Sequence, residues 1–401
     1  MPAERSFLGR WGGFLSVTAA LALCFSTSSL PTPLYPLYQA AWSLAPSAIS
    51  YVFAAYMVAV LVALLCLGRL SDTVGRFPVI AASLLSLMTG LALSAFAWGV
   101  TPLIVARAII GFGNGLLTTA AAMALIESHP RHDRRVAGIA ASIPISVGFG
   151  FGPVAGGALA QIGVAPLSLP YLFVFLLAMA CLAMAWRHRA ALQGPLGIRA
   201  RLSVRPQMAL PSRRTRAPFM LASAGAFSNF TVGCLFASLV PSLMQKLLPW
   251  QGPLVVGMVF LPMALACVGV QLLHRNVAPF RGLMYGMLSL VGSVASLCLG
   301  LLVHNVAALV ASVIFTGMGQ GYTFMSSVVI AGANVDEHRR AANMSTYFFA
   351  AYIGATVPVI AVGLLADRIG LQPAVFVFSA VVACVLVLLA LRCLKYARAA
   401  R

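Results

Sequence analysis

Apolar runs of about twenty residues or more, separated by short polar or charged segments, fill this sequence from end to end. Within each run the apolar positions are nearly continuous, with neither the alternation of a half-buried strand nor the single stripe of a surface helix. A helix rises 1.5 Å per residue, so about 20 such residues cross about 30 Å of hydrocarbon while pairing every backbone polar group internally. Runs at roughly 13–38, 48–68, 78–98, 101–126, 136–160 and 167–186 predict spans one to six. After a break, runs at roughly 218–244, 253–273, 282–302, 306–333, 342–366 and 371–392 predict spans seven to twelve. Barrel strands would be about 10-residue alternating segments, which these are not. The expected fold is an all-α membrane protein of twelve transmembrane helices in two pseudo-symmetric six-helix halves. The halves are 1–186 and 218–401, joined by an Arg-rich linker, 187–217. Arg5 and Arg10 precede the first run as they would in a secretory signal, but that run far exceeds the 7–15 residues of a signal's apolar region and reads as a permanent helix.

Composition removes the soluble alternative. Of 401 residues, 61% are hydrophobic and 8% charged, against about 45–50% and about 25% in soluble domains. The net charge of +19 comes from 26 cationic and 7 acidic residues, and in a soluble chain it would suggest a nucleic-acid partner. Its placement points elsewhere. All the cationic residues except Arg107, Lys246 and Arg368 fall at the N-terminus, in loops after even-numbered spans, or in the C-terminal tail. Excess Lys and Arg mark cytoplasmic loops, so both termini are expected in the cytoplasm and the chain in the plasma (inner) membrane.

The linker carries Arg187, Arg189, Arg199, Arg201, Arg205, Arg213, Arg214 and Arg216 without an acidic residue, as suits a segment beside anionic headgroups. No aromatic residues are interleaved for base stacking, so no nucleic-acid partner is expected. The eight cysteines lie in or at the edges of spans without a C-x-x-C pair and read as packing residues. No metal-ligand spacing appears, and no cofactor is expected.

The chain repeats itself at an offset of about half its length. Gly111, Gly113, Asn114 and Gly115 align with Gly317, Gly319, Gln320 and Gly321, His132 with His338, and Gly148 with Gly354. Duplicated halves that rock about a midplane site are a recurring design of secondary transporters.

Three local patterns sharpen this. The loop after span two reads Gly68-Arg69-Leu70-Ser71-Asp72-Thr73-Val74-Gly75-Arg76. Its glycines permit a tight turn, Asp72 can accept hydrogen bonds at a helix N-terminus, and Arg76 can pair with a carboxylate. Span four carries Arg107, followed by Gly111, Gly113 and Gly115. Span five carries Gly148-x-x-x-Gly152-Pro153-x-x-Gly156-Gly157. In these patterns and in its duplicated layout the chain resembles the major facilitator superfamily of secondary transporters, most of all its drug:proton antiporter branch. The resemblance covers nearly the whole length. It implies a cytoplasmic gate at Gly68, Asp72, Gly75, Arg76 and Glu127, and a gating motif at Gly148, Gly152, Pro153, Gly156 and Gly157. Close packing of spans five and eight would then seal the outer side. The chain departs from the family pattern at Thr73 and Phe77, where basic residues are usual, and in the loop from His274 to Arg281, which lacks the motif.

Arg107 is the one charge within a span, and at a membrane centre it would cost about 2.5–3.5 kcal/mol. It lies about six residues from the outer end of its span and has two readings. It could snorkel to the headgroups, or it could project into a central cavity to bind an anionic group or relay protons. At about 100° per residue Arg107, Gly111, Asn114 and Thr118 share a face, matched by Val313, Gly317, Gln320 and Phe324 in span ten. The expected lining is Arg107, Asn114, Thr118, Ser26, Asn229, Gln320, Asn343 and Tyr347, with Ser29, Tyr35 and Tyr38 as further candidates near Pro31, Pro33 and Pro36, which interrupt span one. Packing and interhelical hydrogen bonding remain the alternative for each of these.

The functional expectation is a secondary active transporter, not an enzyme. It is expected to act as a monomer in the lipid bilayer, exporting a small molecule in exchange for protons. The sequence has no nucleotide-binding G-x-x-x-x-G-K-[ST] loop. Because no Asp or Glu lies deep in a span, an uncoupled facilitator or exporter of a neutral or anionic metabolite is the alternative.

Overall fold

The computed structural model describes residues 7–128, 134–192, 208–247, 250, 252–274, 276–333 and 337–399. Linker residues Arg199, Arg201 and Arg205, together with His132 and Asp133, lie outside them. Helices make up the first half as α1 (Phe7–Ser29), α2 (Tyr35–Trp42), α3 (Pro46–Leu67), α4 (Leu70–Val74), α5 (Arg76–Ala95), α6 (Val100–Ser128), α7 (Arg134–Gln161) and α8 (Leu169–Arg187). The second half contains α9 (Arg213–Ser238), α10 (Val240–Leu247), α11 (Pro253–Leu273), α12 (Pro279–Val303), α13 (Val306–Gly332), α14 (Glu337–Ile369) and α15 (Leu371–Ala399). Among the described residues 11 helices are long and apolar enough to cross a membrane. The 28-residue α7 brings the long helices to the twelve expected.

Local chemistry explains the ends and breaks. Proline occupies the first turn of α3, α11 and α12, where its missing N–H costs nothing. Asn305 caps α13 by accepting a hydrogen bond from the Ala308 amide at 3.1 Å. Span one is divided, as the prolines predict: α1 stops at Ser29, a 3-10 turn covers Thr32–Leu34, and α2 resumes at Tyr35. The matching break in the second half falls between α9 and α10, just before Pro241.

The halves pack alike. In the first, α6 lies between α3 and α5, α1 packs on α7, and α5 on α8; in the second, α13 lies between α11 and α12, α9 packs on α14, and α12 on α15. The repeat read from the sequence recurs as contacts. A Cβ on Gly111 would strike the Tyr56 carbonyl of α3, and one on Gly317 the Met263 carbonyl of α11. Gly148 meets Ala22 of α1 just as Gly354 meets Phe227 of α9. These glycines bring helix backbones together, the usual source of association where lipid is as apolar as the side chains. Each half has its own apolar core, one gathered around Leu84, Leu117 and Tyr171, the other around Leu290, Val294 and Tyr347.

Two helix pairs form the main joint between the halves, α7 with α11 and α3 with α14. The pairs correspond under the repeat, since α7 is to α14 as α3 is to α11. Their tightest contacts lie at the end of the bundle where α3 and α11 begin. There Gly157 sits against the Pro253 carbonyl and Gly257 against that of Pro153, while Gly363 meets Ser50. The Ser47 amide donates to Asp367 Oδ1 at 3.1 Å, and Ser242 Oγ donates to Gln39 Oε1 at 2.6 Å. Because few cations lie here, we call this the neutral end. The opposite, charged end holds Arg76, Arg187, Arg213 and Arg392.

Candidate functional site

Two groups of residues stand out, a buried polar cluster around Arg107 and an ionic cluster at the charged end. Arg107, in the third turn of α6, is 0% exposed. In this conformation its side chain is enclosed by protein. It turns to the end of α1, where its two terminal nitrogens donate to the carbonyls of Thr27 and Ser28, each at 3.1 Å. These carbonyls belong to the last turn of α1, whose partners one turn further on are lost at the Pro31 break. A guanidinium satisfies such carbonyls and opposes the negative end of the helix dipole. The guanidinium also lies over the Tyr56 ring, 4.4 Å from its centroid. The Tyr35 hydroxyl lies beside the same guanidinium, and Arg107 Nε makes no hydrogen bond.

Asn114, two turns further along α6, continues the same face. Its amide nitrogen donates to the Cys24 carbonyl at 3.0 Å, Thr27 Oγ1 at 3.2 Å and Tyr56 Oη at 3.0 Å, leaving Oδ1 unpartnered. Thr118 donates back to the Asn114 carbonyl at 2.7 Å. The face read from sequence is therefore real, and its polar groups fasten α6 to α1 and α3. Tyr38 and Tyr171 adjoin the cluster, with their hydroxyls 3.2 Å apart. Tyr56 and Tyr171 were missed in the sequence, where the available signal was a tyrosine within an otherwise aliphatic run.

The remaining expected lining residues are dispersed. Ser26 donates to the Ala22 carbonyl of its own helix at 2.9 Å and adjoins Gly152 of α7. Gln320 lies against Gly233 of α9. Asn229 is buried with Oδ1 unpartnered, and Asn343 is buried with both amide atoms unpartnered. Tyr347 is fully buried and shares a 2.7 Å hydrogen bond with Ser327. Phe230 of α9 and Tyr352 of α14, with ring centroids 5.5 Å apart, both reach from the second half onto the core of the first.

At the charged end, Arg76 ties three helices of the first half together. It pairs with Asp72 of α4, donates to Ser71 Oγ at 2.8 Å, and makes two bonds to Glu127 at the end of α6, at 3.2 and 3.0 Å. The pairing expected of Arg76 is present, and it includes Glu127. It forms inside one half, in a conformation whose neutral end is packed. Gly75 has φ of 98°, a conformation that favours glycine, whereas Gly68 has an ordinary helical φ of −57°. The two expected turn glycines are required for different reasons: Gly75 by its positive φ, and Gly68 because a Cβ there would lie 2.6 Å from the Leu64 carbonyl.

The α7 motif divides between two partners. Gly148, Gly152 and Gly156, at four-residue spacing, face the carbonyls of Ala22, Ser26 and Leu30 on α1 and its end. Pro153 and Gly157, about 100° further round the helix, face α11. The contact with span eight is thus made by Pro153 and Gly157, while the glycine stripe packs against α1 within the first half. Among the described residues no group of three or more His, Cys, Asp or Glu is placed to hold a metal, and all eight cysteines are unpaired.

Two duplicated six-helix halves meeting through two symmetry-related helix pairs define a multi-pass membrane transporter, not an enzyme. The chain belongs to the Major Facilitator Superfamily, whose family profile matches residues 17–286 and 280–400. Among solved structures it is similar to a peptide transporter, POT, in complex with sulfate, at 14% identity and TM-score 0.79, covering 98% of this chain and 96% of that one. A POT family transporter in complex with 5-aminolevulinic acid matches at 10% identity and TM-score 0.78, covering 98% of both chains. A bacterial homolog of the human lysosomal transporter Spinster, in an inward-facing and unoccupied conformation, matches at 13% identity and TM-score 0.70, again over 98% of both. These likenesses establish the fold. No curated protein matches the sequence.

Proposed function

We propose that this protein is a proton-coupled exporter of a small molecule, of the drug:proton antiporter branch, working as a monomer by alternating access. The observation that carries the reading is the packing of the two halves at the neutral end through α7 with α11 and α3 with α14. Placed in a plasma membrane with the charged end and both termini in the cytoplasm, this is the conformation closed to the outside. Export then requires those contacts to part while the charged ends approach. The halves that rock are 1–186 and 218–401, with 187–217 as the cytoplasmic linker.

Within this reading Arg107, Asn114 and Thr118 form one wall of the path, and Asn229, Gln320, Asn343 and Tyr347 belong to the other. Phe230, Tyr352 and Tyr56 supply aromatic surface between them. A lining of this kind suits neutral or anionic amphiphiles, with Arg107 as the one cation among these described residues. Arg107 acts first by holding α1 at its break, and its unpartnered Nε leaves it a donor for an anionic group or a proton-bearing water. Asp72, Arg76 and Glu127, with the Gly75 turn and Gly68 beside it, form the cytoplasmic gate. Pro153 and Gly157 form the outer gate, backed by Gly148, Gly152 and Gly156.

An uncoupled facilitator is the second reading. It is favoured by the placement of Asp72, Glu127 and Asp367 at helix ends, away from Arg107. The two readings separate in inverted vesicles, using a compound to which overexpression confers tolerance. A proton-coupled exporter accumulates it against its gradient only under an imposed pH difference and releases it when a protonophore is added. Simple equilibration, indifferent to pH, defeats the antiport reading.

A further inference from the structure

At the charged end of the second half, the first turns of α9 and the last turns of α15 flank an open cavity of about 540 Å³. Its cationic lining consists of Arg213 and Arg216 from α9 and Arg392 from α15, joined by Tyr396. Helical spacing brings these together, because residues three or four apart share a face. The same faces continue deeper as Met220 on α9 and Leu389 on α15. The site is therefore graded, with three guanidinium groups and a phenol at the mouth and an apolar floor towards the hydrocarbon.

Three features point to an anionic ligand. No carboxylate is among the described lining residues, so the clustered arginines lack an internal counter-charge. Tyr396 is fixed by stacking on Phe280 of α12, with ring centroids 5.3 Å apart and planes 15° from parallel. Beyond the floor, Met220 is 53% exposed and Leu388 62%, so the apolar surface runs on to the side of the bundle that faces lipid. The cavity lies in the opposite half and at the opposite end from Arg107.

We propose that this cavity binds the phosphate of an anionic phospholipid from the leaflet at the charged end. Arg213, Arg216 and Arg392 take the phosphate oxygens, and the Tyr396 hydroxyl donates a further hydrogen bond. Guanidinium groups suit this task because their fixed donors match phosphate oxygens. The acyl chains lie along Met220 and Leu388. A soluble phosphate ester shares the headgroup chemistry but would leave the apolar floor uncovered.

The test uses the purified, delipidated full-length protein titrated with phosphatidylglycerol and read by native mass spectrometry and thermal unfolding. Phosphatidylglycerol is expected to bind saturably and raise the unfolding temperature, while phosphatidylcholine does neither. Arg213→Gln, Arg216→Gln and Arg392→Gln should each weaken binding about fivefold, and together by on the order of a hundredfold. The control Arg187→Gln with Arg189→Gln, at the same end of the other half, should leave binding unchanged. Equal phosphatidylglycerol binding by the triple variant and the wild type, or equal binding of the two lipids by the wild type, overturns the proposal. Glycerol 3-phosphate forms a separate arm, and stabilisation matching that given by the lipid would assign the site to a soluble ester and overturn the lipid assignment. Should the triple variant fail to fold, the single variants and Tyr396→Phe, which keeps the ring stack, give the same reading.

Discussion

The guanidinium of Arg107 and the carbonyl of Thr27, 3.1 Å apart, join α6 to the final turn of α1. With the second bond to Ser28, this contact makes a cation the cap of a broken transmembrane helix. The bond is internal to one half, so a relative movement of the halves would leave it intact.

Arg107→Ala is expected to lower stability by about 2–3 kcal/mol, because it removes two charge-assisted hydrogen bonds and leaves buried carbonyls unsatisfied. Arg107→Lys should recover only part of this, since an ammonium cannot span both carbonyls as a planar fork does. Thermal unfolding in detergent measures the first effect. Transport by Arg107→Ala at the wild-type rate with unchanged pH dependence would remove Arg107 from the transport mechanism.

The Arg76 cluster predicts a measurable coupling. A double-mutant cycle with Arg76→Gln and Glu127→Gln should give about 1 kcal/mol, above a solvated surface pair because Arg76 is buried and bonds Glu127 twice. Asp72→Asn should insert normally and transport more slowly. Additive single effects on unfolding, with unimpaired transport by Asp72→Asn, would leave the cluster as ordinary loop charge.

Gly75→Ala should cost about 1 kcal/mol, from the positive φ that alanine resists, and Gly68→Ala should also destabilise, because its Cβ would lie 2.6 Å from the Leu64 carbonyl. Unfolding temperatures below that of the wild type check both assignments, and an unchanged temperature in either variant would show that its glycine is not needed for the turn.

The two faces of α7 should separate in their effects. Gly157→Val is expected to push α11 away and favour the conformation open at the neutral end, seen as faster labelling of a cysteine introduced there. Gly152→Val should instead loosen α1 from α7 and reduce stability, without a matching shift in labelling. Similar labelling in both variants would mean that the α7–α11 contact does not control opening.

Asp367 accepts the Ser47 amide in the first turn of α3, bridging the halves at the neutral end. Asp367→Asn should weaken this contact by about 0.5–1 kcal/mol, since the carboxylate also faces the positive end of a helix dipole. The same introduced cysteine should then label modestly faster, and an unchanged rate would show the bridge to be incidental.

Much of the fold was legible in the sequence because membrane insertion imposes a one-dimensional rule. Twelve runs had to be helices, and the glycine spacing shared by 111–115 and 317–321 already implied that the halves pack alike. The site was legible only as faces. Arg107, Asn114 and Thr118 could be placed on one side of a helix, but the Thr27 and Ser28 carbonyls are backbone groups on another helix and leave no side-chain signature. Tyr56 and Tyr171 were missed for a related reason: an aromatic residue in an apolar run reads as packing until its hydroxyl is seen among polar neighbours.

The sequence by itself determined the number of spans, the duplication, the proline break in span one and the concentration of positive charge at one end. Each of these follows from composition and spacing along a single helix. The tertiary structure decided which neighbour each face meets: Gly148, Gly152 and Gly156 against α1, Pro153 and Gly157 against α11, and Arg76 with Asp72 and Glu127 together. Helical periodicity fixes the direction in which a residue points, whereas its partner depends on the long-range arrangement of helices. That arrangement comes from side-chain volumes packed across the whole bundle.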